Sequence, residues 1–260
     1  MNIAVLHLSI KIRQIKLVSF VLVIFFILHN SFFLHAQQKI ASKNDIVVLL
    51  HGLGRGKSIM VPMQEQLKND GFSVALVDYS SIGKSPDEIL KDISKQVKVF
   101  IADTNNTVHF VGHSLGGLLI RAYLDSVKLP NLGKVVLIGS PSKGTPFVDR
   151  FRDAWWLKMV GPTAVLLGTD DKSFPRTLRP PYYPVGIIAG ISSVINNDDF
   201  IPGEDDGIVP VESTKIEGMS DFILVKVSHS SLPKDKLVIR QTIEFLRNGK
   251  FFQEIPMQQK

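Results

Sequence analysis

A chain of 260 residues, 45% hydrophobic and 21% charged, has a globular composition, and its length suits one domain of the upper ordinary size rather than two catalytic domains. The absence of cysteine excludes disulfides, thiolate-bound zinc, iron–sulfur clusters and a thiol nucleophile, so a covalent catalyst would be Ser, Thr, Lys or a carboxylate. Half of the formal charge of +6 comes from Lys11, Arg13 and Lys16: the first 36 residues hold no Asp or Glu, and the rest carries 27 basic against 24 acidic residues, which argues against a nucleic-acid surface.

Residues 1–36 read as a leader: basic residues up to Lys16, an apolar run from Leu17 to Leu28, a polar break at His29, Asn30 and Ser31, then Phe32 to Ala36. This is the layout of an export signal, with cleavage expected after Ala36; uncut, Leu17 to Leu34 is marginally long enough to anchor the chain in a bilayer. Either way the domain from 37 to 260 is expected in a non-cytosolic space, periplasmic or secreted, with membrane association through the N-terminal segment.

From there, short Val- and Ile-rich runs alternate with helical patterns. Strands are predicted at Ile46–Leu50, Phe72–Val77, Thr107–Val111, Lys134–Ile138, Val185–Ala189 and Phe222–Val227. Helices are predicted at Ser58–Asn69, Pro86–Ala102, Leu115–Val127 and Lys234–Arg247. Such alternation implies an open α/β fold, a mostly parallel central sheet with helices on both faces. The interval from Ser140 to Pro184 breaks the rhythm with aromatic residues and seven prolines; it reads as a short cap insertion, about 144–184, over the C-terminal edge of the sheet.

The strand ending at Val111 runs into Gly112-His113-Ser114-Leu115-Gly116-Gly117 and then a helix. This is G-x-S-x-G in a strand–turn–helix setting, where a tight turn lifts the serine hydroxyl clear of the sheet and leaves no room for side chains two residues to either side. The helix start directs N–H groups and the positive end of its dipole at the same place, suited to a developing oxyanion.

A neutral hydroxyl needs a base, and the base needs a carboxylate to hold its tautomer. In the nucleophile-elbow arrangement the acid and then the histidine follow the serine. Three of the seven histidines lie in the leader, and His51, His109 and His113 precede Ser114, which leaves His229, just after the last predicted strand. For the acid, Asp206 in Asp-Gly-Ile-Val-Pro is preferred because glycine permits a sharp turn; Asp205 is second, and Asp198 or Asp199 third. The oxyanion donors are expected at Leu115 and, in the His51-Gly52-Leu53-Gly54 loop, at Leu53. His113, Trp155, Trp156 and Leu166 are expected to contact substrate, and Trp155 and Trp156 with Val165, Leu166 and Leu167 to line or gate an apolar acyl pocket.

Together His51-Gly52, the Gly112–Gly117 motif, Gly139-Ser140-Pro141-Ser142-Lys143-Gly144-Thr145-Pro146 and Asp206-Gly207-Ile208-Val209-Pro210 resemble the bacterial serine lipase and esterase branch of the α/β-hydrolases, over essentially everything after the leader. The resemblance implies the α/β-hydrolase fold, a Ser114–Asp206–His229 triad, acyl-enzyme chemistry on a small-molecule or lipid ester, a cap over an acyl pocket and no metal or organic cofactor. Acyl transfer to another alcohol and an inert binding module on the same scaffold are the alternatives. A phosphate-binding loop is mimicked by Gly52-Leu53-Gly54-Arg55-Gly56-Lys57-Ser58, but only three residues separate Gly52 from the Gly-Lys pair where four are required.

Overall fold

The computed structural model describes residues 45–102, 105–192 and 200–252. The leader, with its signal or anchor, lies outside these residues, as do Asp198 and Asp199. No helix among the described residues is long and apolar enough to cross a membrane.

Six strands, β1 (Ile46–Leu50), β2 (Ser73–Leu76), β3 (Val108–His113), β4 (Leu132–Ile138), β5 (Val185–Gly190) and β6 (Asp221–Val225), form one sheet in the order β2-β1-β3-β4-β5-β6. Every neighbouring pair is parallel. Period-2 alternation sends Val48, Leu50, Phe110 and Leu137 to one face, against helices α2 (Pro86–Ile101) and α3 (Leu115–Ser126). It sends Val47, Leu49, Val111 and Ile138 to the other, against α1 (Val61–Asn69) and α9 (Lys236–Asn248). With both faces covered, the central strands have little need of polar positions and read as continuous apolar runs.

Where sequence and structure differ, local chemistry decides. Helix α1 is preceded by a 3-10 turn, Lys57–Met60. Helix α9 starts only at Lys236, because Asp235 stays extended and its carboxylate accepts the N–H groups of Leu237 and Val238. The last strand stops at Val225, where the Val227 N–H turns back to the Val225 carbonyl.

Between β4 and β5 four short helices, α4 (Pro146–Phe151), α5 (Trp155–Val160), α6 (Pro162–Val165) and α7 (Phe174–Thr177), lie over the strand ends. This segment is fastened on two sides. On one, the Gly83 N–H donates to the Val160 carbonyl at 2.8 Å and the Thr163 hydroxyl to the Lys84 carbonyl at 2.6 Å. On the other, the Thr145 hydroxyl donates to the Ile208 carbonyl and the Ser213 hydroxyl to the Gly144 carbonyl. Helix α8 (Val211–Thr214) carries Ser213, one end of that second tether.

The chain leaves β1 for β2 on one side and returns to β3 on the other, so connections diverge above β1 and β3. A crevice opens at such a switch point, beyond the C-terminal strand ends. The next residues there are His51-Gly52 and Ser114.

Candidate active site

Ser114 is the one non-glycine residue with positive φ among the described residues, at φ 54° and ψ −123°. That strained conformation persists because its surroundings admit no relaxed alternative. A Cβ on Gly112 would stand 2.5 Å from the Gly117 nitrogen, and one on Gly116 would stand 2.4 Å from the Leu50 carbonyl oxygen. Strand and helix are packed backbone to backbone, and the only free direction for the Ser114 side chain is outward, into the crevice.

The Ser114 Oγ lies 3.0 Å from His229 Nε2, and His229 Nδ1 lies 2.7 Å from Asp206 Oδ2. A carboxylate only accepts, so Nδ1 carries the hydrogen and Nε2 is left as an acceptor facing the hydroxyl. Asp206 is almost wholly buried and tightly held: its Oδ1 accepts the Ile208 N–H at 3.1 Å and the Val209 N–H at 2.8 Å. The His229 N–H donates to the Asp206 carbonyl at 2.9 Å, so backbone as well as side chain joins the two loops. Asp205 points elsewhere, accepting the Gly207 N–H at 2.6 Å.

The loop after β1 presses on this group, for a Cβ at Gly52 would stand 3.1 Å from the Ser114 Cβ. In that loop the Gly54 N–H donates to Ser81 Oγ at 2.9 Å and the Arg55 N–H to the Gly52 carbonyl at 3.4 Å. The Leu53 N–H and, at the start of α3, the Leu115 N–H have no partner among the described residues. Leu53 lines the same cavity as Ser114, and Leu115 follows Ser114 directly in the chain. His51 is fixed beneath the loop by stacking on Tyr79, with ring centroids 4.1 Å apart, while the Tyr79 hydroxyl donates to the His51 carbonyl.

Four expected substrate contacts are redistributed. His113 does line the cavity, but its Nε2 donates to the His229 carbonyl at 3.0 Å, a partner that no sequence signal specified. It is thus a positioning residue for the imidazole loop. Trp155 and Leu166 do not line the cavity. Adjacent residues on a helix point about 100° apart, so on α5 Trp156, Leu157 and Val160 face inward while Trp155 and Met159 are 72% and 71% exposed. Leu167, not Leu166, completes the wall with Phe147 and Val148. The phase of a one- or two-turn helix between prolines cannot be read from so few residues.

Burial holds three imidazoles below their ordinary titration range: His51, His109 and, furthest, His113, where the neighbouring His229 adds to the effect. In the unfolded chain each takes a proton near pH ~6.5. The unfolded state therefore binds more protons below that pH, and stability falls on acidification. The unfolding free energy should fall as the pH is lowered from 7.5 to 5.5, with a slope rising toward about 1.4 kcal/mol per pH unit for each imidazole, and the melting temperature should fall with it. His113→Gln should flatten that slope in a thermal-melt series, and a pH-independent wild type would contradict the assignment.

A sequence profile of the palmitoyl protein thioesterase family matches residues 46–172, a stretch that includes Ser114 but ends before Asp206 and His229. Among solved structures, the mature Bacillus licheniformis lipase BlEst2 aligns with a TM-score of 0.63 at 20% identity, over 77% of this chain and 91% of its own. The chain has the α/β-hydrolase fold. The hydrolase fold is equally shared, with a TM-score of 0.51, by a Listeria innocua gene product at 21% identity, over 81% of this chain and 96% of that one. A lipase–esterase related protein from Clostridium acetobutylicum also aligns, with a TM-score of 0.51 at 16% identity, over 80% of this chain and 94% of that one. A search of curated proteins finds no match to this chain.

Proposed function

We propose that this α/β-hydrolase cleaves carboxylic esters through an acyl-serine intermediate. The observation that carries the reading is the unbroken chain from the strained Ser114 hydroxyl through His229 to Asp206, at 3.0 Å and 2.7 Å. Ser114 Oγ attacks the acyl carbon while His229 Nε2 takes its proton, and Asp206 stabilises the imidazolium that forms. The Leu53 and Leu115 N–H groups receive the negative charge of the tetrahedral intermediate. The imidazolium then returns its proton to the leaving oxygen. A water, deprotonated by the same imidazole, releases the acid.

The cavity beside Ser114 supports a modest acyl group. Its volume is about 230 Å3, with Phe147, Val148, Trp156, Leu157, Val160 and Leu167 on its apolar side. Small-molecule pockets run from about 300 to 1,000 Å3, so this one falls below that range. Across p-nitrophenyl acetate, butyrate, octanoate and palmitate, kcat/KM should peak at butyrate or octanoate and fall at least ~10-fold at palmitate, since an acyl chain that overfills a pocket forfeits on the order of 1–3 kcal/mol per misplaced methylene. A palmitate optimum with activation at lipid interfaces would overturn the short-acyl reading.

The family match favours thioesters as a second substrate class, because a thioester carbonyl is open to the same attack; S-butyryl and S-palmitoyl thiols belong beside the oxygen esters. Acyl transfer would show as ester products when alcohols are added. An inert scaffold would fail to react with a fluorophosphonate probe, whereas the hydrolase reading requires labelling of Ser114. The leader's basic and apolar layout supports export of the hydrolase to the periplasm or beyond.

A further inference from the structure

We propose that Arg55 makes this site selective for esters whose departing portion carries an anion, a phosphate or a carboxylate. The inference rests on the ester-hydrolase reading and adds a substrate class to it.

The cavity walls are neutral and mostly apolar. Of the residues that line it, Arg55 alone bears a permanent charge, and no Asp, Glu or Lys joins it. Arg55 is exposed and has no ion-pair or hydrogen-bond partner for its guanidinium among the described residues. Other cations are engaged: Lys57, two residues on, with Asp78 at 2.9 Å, and in the covering segment Arg152 with Asp149 and Asp170 at 3.0 and 2.5 Å and Lys158 with Asp153 at 3.1 Å. A guanidinium offers planar paired donors that fit both oxygens of a carboxylate or phosphate.

Position assigns the anion to the leaving side. The apolar wall of Phe147, Val148, Leu157, Val160 and Leu167 takes the acyl chain, so the remainder of the ester faces the open side. Arg55 lines the same cavity and is exposed to solvent, two residues beyond Leu53. Its flanks are open as well: a Cβ on Gly54 or Gly56 would meet nothing within 4 Å, which leaves space for a ligand group beside the guanidinium. The charge is near enough to the catalytic centre to disfavour protonation of His113.

The test uses matched pairs of butyryl esters on the full chain: p-nitrophenyl butyrate against its ring-carboxylated analogue, and monobutyryl glycerol against monobutyryl glycerol phosphate. The readout is the anionic-to-neutral ratio of kcat/KM in each pair, in wild type, Arg55→Gln and Arg55→Lys. In wild type one or both ratios should exceed those of Arg55→Gln by about 5- to 10-fold, with Arg55→Lys between them, because a point charge keeps the attraction and loses the paired geometry. Raising the salt from ~0.02 to ~0.5 M should erase the excess in wild type by screening. Which pair responds identifies carboxylate or phosphate as the preferred anion. Ratios equal in wild type and Arg55→Gln, or a fall that strikes neutral and anionic esters alike, would overturn the selectivity and leave the hydrolase reading standing. Loss of turnover on every ester, together with no fluorophosphonate labelling of wild type, would overturn both.

Discussion

Ser114→Ala should lower kcat/KM on p-nitrophenyl butyrate by about 10^5- to 10^6-fold and abolish fluorophosphonate labelling, the size expected when the nucleophile of a cooperating group is removed. The loss should not come from misfolding. Alanine keeps the Cβ, and the sharp turn is dictated by the close approach of Gly112 and Gly116 to neighbouring backbone rather than by the hydroxyl. What vanishes is the one atom within 3.0 Å of His229 Nε2 that can form a bond to carbon. Thermal melts of the two proteins should coincide within a few degrees. A variant retaining a tenth of the wild-type rate, with its melt intact, would transfer the chemistry to another group.

Asp206→Asn should cost about 10^4-fold in kcat, and the reason lies in which way the new amide can face. The Ile208 and Val209 N–H groups both point at Oδ1 and need an acceptor there, so the amide oxygen takes that place. Its NH2 is then turned on His229 Nδ1. Facing a donor, Nδ1 must be the unprotonated nitrogen, the hydrogen moves to Nε2, and Nε2 can no longer accept the serine proton. Geometry survives and the tautomer is wrong. Steady-state rates for Asp206→Asn and Asp205→Asn together are decisive: Asp205, bound to the Gly207 N–H, should lose little. The reverse pattern would move the acid to Asp205.

Much of this was legible in the linear chain because strong constraints leave few solutions. The sheet showed itself as apolar runs, since strands covered on both faces have no solvent side to mark with polar residues. The serine stood out because its turn demands glycine at fixed offsets, and His229 because every other histidine lies before Ser114 or in the leader. What escaped depends on distant packing. That His113 holds the His229 carbonyl requires knowing that the ends of β3 and of the loop after β6 meet, and no local pattern encodes it. Of the residues expected in the acyl pocket, Trp156 and Leu167 line the cavity, while Trp155 and Leu166 do not; the turn of a short helix puts Leu157 there beside Trp156. Arg55 attracted notice only as part of a false phosphate-loop pattern, though its place at the rim was set by the sharp exit from β1.

The two-sided fastening of the segment over Ser114 bears on how substrate gets in. One flank is hooked to residues 83 and 84, the other to Ile208 in the turn after Asp206, so swinging the segment aside would break bonds on both sides. Entry is through a standing doorway rather than a hinged one. Turnover should accordingly follow a single smooth saturation curve for dispersed monomers, with no jump when an amphiphilic ester crosses its critical micelle concentration.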